Sequence, residues 1–129
     1  MKTSHLVRFL PALGLLVLGA GVTGCTQVQV APNTLGEYRL GELQVVVDRG
    51  FATTYEAAKK GLKESNIFQT GDERKVTEGE LKGRDAADAQ VVIKVKEIGP
   101  NRSDLRIRYG IPGNLALAQK VYQSIQKQL

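Results

Sequence analysis

The feature that most constrains this chain is its only cysteine, Cys25, which directly follows an apolar N-terminal segment. Residues 1–24 contain Lys2 and Arg8 but no acidic residue, and residues 9–20 are mostly apolar. A basic start, a short apolar stretch and small residues before a cleavage point are typical of a secretory signal peptide. The apolar stretch is shorter than the roughly 20 residues of a membrane-spanning helix. We therefore predict that residues 1–24 are a signal peptide.

The residues just before Cys25 indicate what happens to its thiol. Val22, Thr23 and Gly24 precede Cys25 and together resemble the lipobox of bacterial lipoproteins. A thiolate is the nucleophile that such lipid transfer needs, and a lone cysteine cannot form an internal disulfide. Two acyl chains would give a stable anchor where one holds weakly. We predict lipid attachment at Cys25; the alternative is an uncleaved N-terminal helix with an incidental cysteine.

The residue after Cys25 indicates which of the two bacterial membranes would hold the anchor. In enterobacterial lipoproteins an Asp at that position resembles an inner-membrane retention signal, and here the residue is Thr26. The sequence therefore predicts a periplasm-facing protein anchored in the bacterial outer membrane, with the inner membrane as the alternative.

The chain after the predicted cleavage point is 105 residues long, which is enough for one small domain with a single core. Its 16 basic and 13 acidic residues leave a net charge of +3, too small for the footprint of a nucleic-acid-binding protein. Residues 25–36 are predicted to be the lipidated cysteine and a tether, with an edge strand at residues 27–30 as the alternative. Residues 37–129 are predicted to form the domain.

Hydrophobic alternation predicts four main strands, at residues 38–48 with an irregularity at Gly41, and at residues 76–82, 90–98 and 103–109. A further short strand is possible from residue 67, followed by a charged turn at residues 71–75. The inward-facing residues of the last two strands are predicted to be Val91, Ile93, Val95, Leu105, Ile107 and Tyr109. Short connections favour antiparallel pairing.

Two helices are predicted. The first begins at a capping box of Thr53 and Glu56 and continues to about Ser65, with Gly61 allowing close packing on the sheet. The second is capped by Asn114. Their core-facing residues are predicted to be Tyr55, Ala58 and Leu62 in the first, and Leu115, Ala118, Tyr122, Ile125 and Leu129 in the second. The predicted fold is an α+β two-layer sandwich, an antiparallel sheet of about four strands with two helices on one face, in the order β-α-β-β-β-α.

Residues that carry chemistry are scarce after Cys25. The single histidine, His5, lies in the predicted signal peptide, and there is no other cysteine. Nucleophile–histidine pairs and Cys/His metal sites are therefore excluded from the mature chain. Its carboxylates fall in predicted turns or on exposed strand faces, where they are solvated. We predict no enzymatic activity, no metal and no cofactor.

One surface stands out. Lys94, Lys96, Arg106 and Arg108 alternate with core residues on neighbouring strands, which predicts a basic stripe on the sheet face away from the helices. Such a stripe could bind an anionic envelope component or an acidic protein. The alternative is cross-strand charge pairing with Glu78 and Glu80 and, less directly, Glu42 and Asp48.

Several segments resemble a known family. Residues 55–60 (Tyr-Glu-Ala-Ala-Lys-Lys), 91–95 (Val-Val-Ile-Lys-Val) and 105–110 (Leu-Arg-Ile-Arg-Tyr-Gly) are similar to the pattern of small bacterial lipoproteins classified as a domain of unknown function. The resemblance covers about residues 36–129, with Asn114 where an Asp is common. It implies an envelope lipoprotein with a small α+β domain and no known catalytic residues.

The sequence thus predicts a lipid-anchored, periplasm-facing envelope lipoprotein whose domain is a binding or adaptor module. The alternative is a structural component that associates with itself or contacts the cell wall.

Overall fold

The computed structural model describes residues 25–129, so the predicted signal peptide at residues 1–24 lies outside the described residues. The described elements are β1 (Thr26–Ala31), β2 (Thr34–Arg39), β3 (Glu42–Val47), α1 (Phe51–Glu64), β4 (Phe68–Arg74), β5 (Glu78–Arg84), β6 (Gln90–Gly99), β7 (Arg102–Tyr109) and α2 (Leu115–Gln126). The strands form one antiparallel sheet in the order β1-β2-β3-β7-β6-β5-β4. The predicted α+β fold with two helices and one antiparallel sheet is confirmed. The prediction of about four strands is wrong, since the sheet has seven strands.

The predicted tether at residues 26–36 is wrong. These residues form β1 and the start of β2, joined by a tight turn in which Asn33 has a φ of 60°. Val30 is only 1% exposed and belongs to the hydrophobic core. This uncharged segment is therefore an edge strand, as the alternative prediction states, because its alternate apolar side chains are buried. The domain begins at Thr26 rather than at residue 37.

The single strand predicted at residues 38–48 is instead two strands. Leu40 and Gly41 connect β2 to β3 with φ values of 50° and 79°. Two successive positive φ values are typical of the type I′ turn, whose twist matches that of an antiparallel hairpin. The irregularity predicted at Gly41 is therefore a reversal of the chain.

The charged turn predicted at residues 71–75 is also wrong, because β4 continues to Arg74. β4 is the outermost strand on its side of the sheet, and charged side chains are a common feature of such edges because they discourage pairing with other chains. The next predicted strand is shifted by two residues, since β5 begins at Glu78. The predicted positions of β6 and β7 are confirmed to within one residue, and their six predicted inward residues are all buried.

The predicted capping box of α1 is wrong. The helix begins at Phe51, its N-cap is Gly50, and no side chain caps it. Thr53 therefore lies inside the first turn rather than before it. The predicted core stripe is confirmed, because Tyr55, Ala58 and Leu62 are each at most 1% exposed.

Gly61 lies against α2 and not, as predicted, against the sheet. A Cβ atom at Gly61 would stand 2.4 Å from Ile125 Cγ1 and 2.9 Å from the Ile125 backbone nitrogen. The absence of a side chain at Gly61 is what allows the two helices to approach this closely.

The predicted cap of α2 is confirmed, since Asn114 Oδ1 accepts a hydrogen bond of 3.0 Å from the backbone N–H of Leu117. Ala118, Tyr122 and Ile125 are buried, while Leu115 and Leu129 are partly buried against the core.

Both helices cover the same face of the sheet. Leu43, Ile107, Ile93 and Leu81 lie side by side on four neighbouring strands and are each 0% exposed. The alternate residues of the same strands point to the other face, where neither helix packs. We call this second surface the open face.

Candidate functional site

Cys25, the predicted site of lipid attachment, is exposed and its thiol is free. It directly precedes β1, so one peptide bond separates it from the folded sheet. Lipid attachment itself stays a prediction, but this position leaves the thiol open to modification.

The four basic residues predicted to share a surface do lie together on the open face. Lys94 and Arg106 stand directly opposite each other on β6 and β7. Lys96 follows Lys94, and Arg108 follows Arg106, at the two-residue spacing that keeps side chains on one face of a strand. The alternation in the sequence was therefore sufficient to place them.

The open face is not a basic surface overall, however. The strand register puts eight basic and six acidic side chains on it: Arg39, Lys82, Arg84, Lys94, Lys96, Arg102, Arg106 and Arg108, with Glu37, Glu42, Glu73, Glu78, Glu80 and Asp104. The nearly balanced charge makes it a mosaic of opposite charges rather than the stripe that the basic residues alone predicted.

Arg106 and Arg108 are held by neighbouring carboxylates. Arg106 Nε lies 2.8 Å from Asp104 Oδ2, and the same guanidinium reaches Glu42 at 3.8 Å. Arg108 lies 3.9 Å from Glu42. Hydrogen bonding to Asp104 raises the pKa of Arg106. Cross-strand pairing, the alternative interpretation of the stripe, thus applies to Arg108 through Glu42, whereas the closest partner of Arg106 is Asp104 on its own strand.

Lys94 and Lys96 differ from the two arginines. Within residues 25–129 neither has a carboxylate within 4.0 Å, and both are exposed. Their register neighbours Glu80 and Glu78 pair instead with Lys82, at 3.4 Å, and with Lys75, at 3.6 Å. The cross-strand partners predicted for the two lysines are therefore engaged elsewhere.

The two lysines border a shallow depression of about 300 Å³ on the open face. Its other charged lining residues are Glu73, Lys75, Glu78, Glu80, Asp104 and Arg106. An open depression lined mostly by charged residues does not enclose a small apolar ligand. It can offer two ammonium groups to a phosphate or carboxylate of a larger partner.

Asp104 is a buried carboxylate that the sequence did not reveal. It is 6% exposed and accepts hydrogen bonds from Gln44 Nε2 at 2.9 Å and from Arg106 Nε at 2.8 Å. Gln44 lies 60 residues away in the sequence. Both carboxylate oxygens are therefore paired, and Asp104 fixes the Arg106 guanidinium to the middle of the open face.

A second polar cluster, also missed from the sequence, joins α1 to β4. The Tyr55 hydroxyl donates a hydrogen bond to Asp72, whose other oxygen lies 2.9 Å from Lys59 Nζ. Burial and the hydrogen bond to Asp72 raise the pKa of Tyr55. Hydrogen bonds from Tyr55 and Lys59 lower the pKa of Asp72. The Tyr55 ring fills the space left by the absent side chain of Gly79, where a Cβ atom would be 2.4 Å from the ring.

Replacing Asp72 with asparagine tests how firmly this cluster holds the sheet edge. The pKa of Asp72 is lower in the folded state than in the unfolded state, where it is about 3.9. The carboxylate therefore stabilises the fold above about pH 3.9, and this stabilisation is lost as the pH falls through the pKa of the folded state. We expect Asp72→Asn to lower the free energy of unfolding at neutral pH by about 1 kcal/mol, because a charge-assisted hydrogen bond is weakened by its partial exposure. Urea unfolding at neutral and at acidic pH measures this.

The matched control for Asp72→Asn is Asp48→Asn, because the Asp48 side chain is 84% exposed. The difference in unfolding free energy between the wild type and Asp72→Asn should shrink as the pH is lowered below about 4. Equal effects of the two substitutions at neutral pH would contradict a structural role for Asp72.

A tyrosine–carboxylate pair fixes the loop between β5 and β6. The Tyr109 hydroxyl lies 2.5 Å from Asp85 Oδ2, while Asp85 Oδ1 accepts hydrogen bonds from the backbone N–H groups of Ala87 and Ala89. Burial, with the hydrogen bond to Asp85, raises the pKa of Tyr109 to about 12. These contacts occupy Asp85 fully and give it a structural role.

Two further properties of residues 25–129 bear on function. No helix in this part of the chain is long and apolar enough to cross a membrane. Within the same residues, no group of three His, Cys, Asp or Glu side chains is arranged to hold a metal ion.

Comparison with known proteins gives a family and no activity. The comparison with curated proteins yields no match. The family described as "Protein of unknown function (DUF3568)" matches residues 7–128. This confirms the resemblance to an uncharacterised domain family that the segments at residues 55–60, 91–95 and 105–110 indicated. The chain therefore belongs to the family "Protein of unknown function (DUF3568)".

Proposed function

We propose that this protein is a lipid-anchored envelope lipoprotein, held in the outer membrane through Cys25 and facing the periplasm. The observation that carries the proposal is the basic and apolar N-terminal segment that ends in small residues and the chain's only cysteine. The exposed position of Cys25, one residue ahead of the folded domain, is consistent with an anchor. Two acyl chains on this residue would hold the domain at the membrane.

The domain itself is proposed to be a non-catalytic binding or adaptor module whose contact surface is the open face. Lys94 and Lys96 support this part of the proposal, because both are exposed beside a depression and their neighbouring glutamates pair with other lysines. The partner is proposed to present phosphate or carboxylate groups, either on an anionic envelope component or on an acidic protein. Recognition at such a polar and accessible surface rests on charge complementarity.

Charge reversal of the two lysines tests the contact surface. A photo-crosslinking residue at Val92, which lies on the same face beside Lys94, is expected to trap the partner in living cells. We expect Lys94→Glu with Lys96→Glu to reduce the crosslinked product roughly tenfold, because an exposed charge pair contributes up to about 1 kcal/mol and two such pairs are reversed. Immunoblotting of the crosslinked product after affinity purification measures this yield.

The matched control is Lys60→Glu with Lys120→Glu. Both residues are exposed on the helices, and within residues 25–129 neither has a carboxylate within 4.0 Å. This control carries the same change in net charge on the opposite side of the domain. Equal crosslinking yields from the two double variants would rule out the open face as the contact surface.

A second candidate function, self-association of the envelope component, is favoured by the free edge of β1. This edge strand carries no charged residue, whereas β4 at the other edge carries Asp72, Glu73 and Arg74. Uncharged edges are the ones open to strand addition. Gln119 partly covers the β1 edge by donating a hydrogen bond of 3.3 Å to the carbonyl of Gln29. Sedimentation of the protein over a range of concentrations distinguishes a self-associating component from a monomeric adaptor.

A further inference from the structure

The end of the sheet at which β1 begins, which we call the Cys25 end, has no spacer between the predicted anchor and the domain. Thr26 lies directly opposite Tyr38 in the strand register, so pairing starts at the first residue after Cys25. A lipid on Cys25 would therefore bring this end of the sheet to the membrane surface rather than leave the domain on a flexible tether.

The turn between β2 and β3 lies at this same end and reaches at least as far out as Cys25. Leu40 is two residues past Tyr38, whereas Cys25 is one residue before Thr26. At roughly 3.4 Å per residue, the turn reaches about as far out as Cys25 or slightly farther. Leu40 is 82% exposed. Acyl chains leaving Cys25 would run beside this leucine.

Leucine is also an unusual residue for this position. Leu40 has a φ of 50°, and type I′ turns favour Asn, Asp or Gly at such positions because other side chains are strained there. A large apolar side chain that is both exposed and in the left-handed region is disfavoured in water on two counts. A residue that is disfavoured in this way is expected at a functional site, where it contacts something outside the isolated domain.

A second exposed apolar residue lies in the loop that touches this turn. Pro112 and Gly113 are so close to Gly41 that a Cβ atom on Gly41 would overlap the Pro112 carbonyl oxygen. The adjacent Ile111 is 85% exposed. The β2–β3 turn and the loop at residues 110–113 thus form one packed tip that carries two solvent-exposed apolar side chains.

A basic residue flanks the tip. Arg39 is exposed, and among residues 25–129 no carboxylate lies within 4.0 Å of its guanidinium. Apolar side chains next to a cation are typical of protein surfaces that lie in the headgroup region of a membrane.

We infer that this tip is a membrane-docking surface: Leu40 and Ile111 insert into the lipid surface that holds Cys25, and Arg39 contacts anionic headgroups. The inference rests on the proposed lipid anchor, because the anchor is what brings the tip to a bilayer. Docking would orient the domain with its strands rising from the membrane, so that the open face looks sideways into the periplasm.

Single-tryptophan variants test the docking directly, because the chain contains no tryptophan. The full-length protein, processed in cells and purified from membranes in detergent, is reconstituted into vesicles of phosphatidylethanolamine and phosphatidylglycerol. Leu40→Trp and Ile111→Trp are the reporters for the tip. The matched control is Val76→Trp, because Val76 is 92% exposed in the turn between β4 and β5 at the opposite end of the sheet.

We expect brominated lipids to quench the fluorescence of Leu40→Trp and Ile111→Trp severalfold more than that of Val76→Trp. Equally weak quenching of all three variants in protein that floats with the vesicles would overturn the docking inference and leave the anchor standing. Failure of the wild-type protein to float with the vesicles would instead overturn the anchor, and the docking inference with it. The two reporters lie on different loops, so misfolding caused by one substitution does not remove the test.

Discussion

Replacing Cys25 with serine is expected to abolish incorporation of a labelled palmitate analogue into the protein. The substitution changes one atom and keeps the size of the side chain. A hydroxyl cannot ionise near neutral pH, so it lacks the nucleophilicity of a thiolate. Because Cys25 is the only cysteine of the chain, no other thiol can accept the lipid. Metabolic labelling followed by immunoprecipitation is expected to give a signal at background level.

The matched control for this substitution is Thr26→Ser, which alters the neighbouring side chain and retains the thiol. Its labelling is expected to equal that of the wild-type protein. Label retained by Cys25→Ser at the wild-type level would show that the lipid, if present, is attached elsewhere, and would remove the basis for an anchor at this residue.

Replacing Gly61 with valine is expected to destabilise the folded protein strongly, because the new side chain would clash with α2. The new Cβ would stand 2.4 Å from Ile125 Cγ1 and 3.0 Å from Ile125 Cα. Because backbone atoms of α2 are among the clashing atoms, the helices must separate, and overpacking of this kind costs about 3 kcal/mol. That is a large part of the roughly 5–15 kcal/mol that stabilises a typical domain. Urea unfolding followed by circular dichroism measures the change.

Gly99→Val is the matched control for Gly61→Val, since a Cβ at Gly99 has no atom within 4 Å. Its free energy of unfolding is expected to stay within about 0.5 kcal/mol of the wild type. If Gly61→Val were as stable as Gly99→Val, the close approach of α1 and α2 would not be a feature of the folded protein.

The elements that could be predicted from the sequence are those whose pattern is local. The alternation of residues 91, 93 and 95 with Lys94 and Lys96 fixes both the strand and the face on which the lysines lie. Asn114 likewise predicts the start of α2, because its side chain accepts a hydrogen bond from the backbone N–H three residues later. In each case the determining residues are near neighbours in the chain.

The strands that the sequence did not reveal depend on distant contacts. Residues 26–36 are uncharged and contain a proline, and they become β1 and β2 only because Val30 is buried in a core contributed by the rest of the chain. Leu40 is not a turn-forming residue, so the sequence predicts one strand with an irregularity at Gly41 rather than the hairpin at Leu40–Gly41. The edge strand β4 is polar along most of its length and shows no alternation.

The same limit applies to the candidate site. The position of Lys94, Lys96, Arg106 and Arg108 follows from alternation, but the balance of charge around them does not. Asp104 looks like an exposed residue in an alternating strand, and its burial depends on Gln44, which lies 60 residues away. The predicted partners Glu78 and Glu80 are turned toward other lysines by contacts along and beside their own strand. Which charges remain available could therefore be found only from the three-dimensional arrangement.

The intact mass of the protein isolated from membranes tests the proposed anchor most directly. The proposal predicts a chain that begins at Cys25 and carries two or three acyl chains on that residue. Recovery of a chain that still contains residues 1–24, or of a soluble chain with an unmodified Cys25, would contradict it.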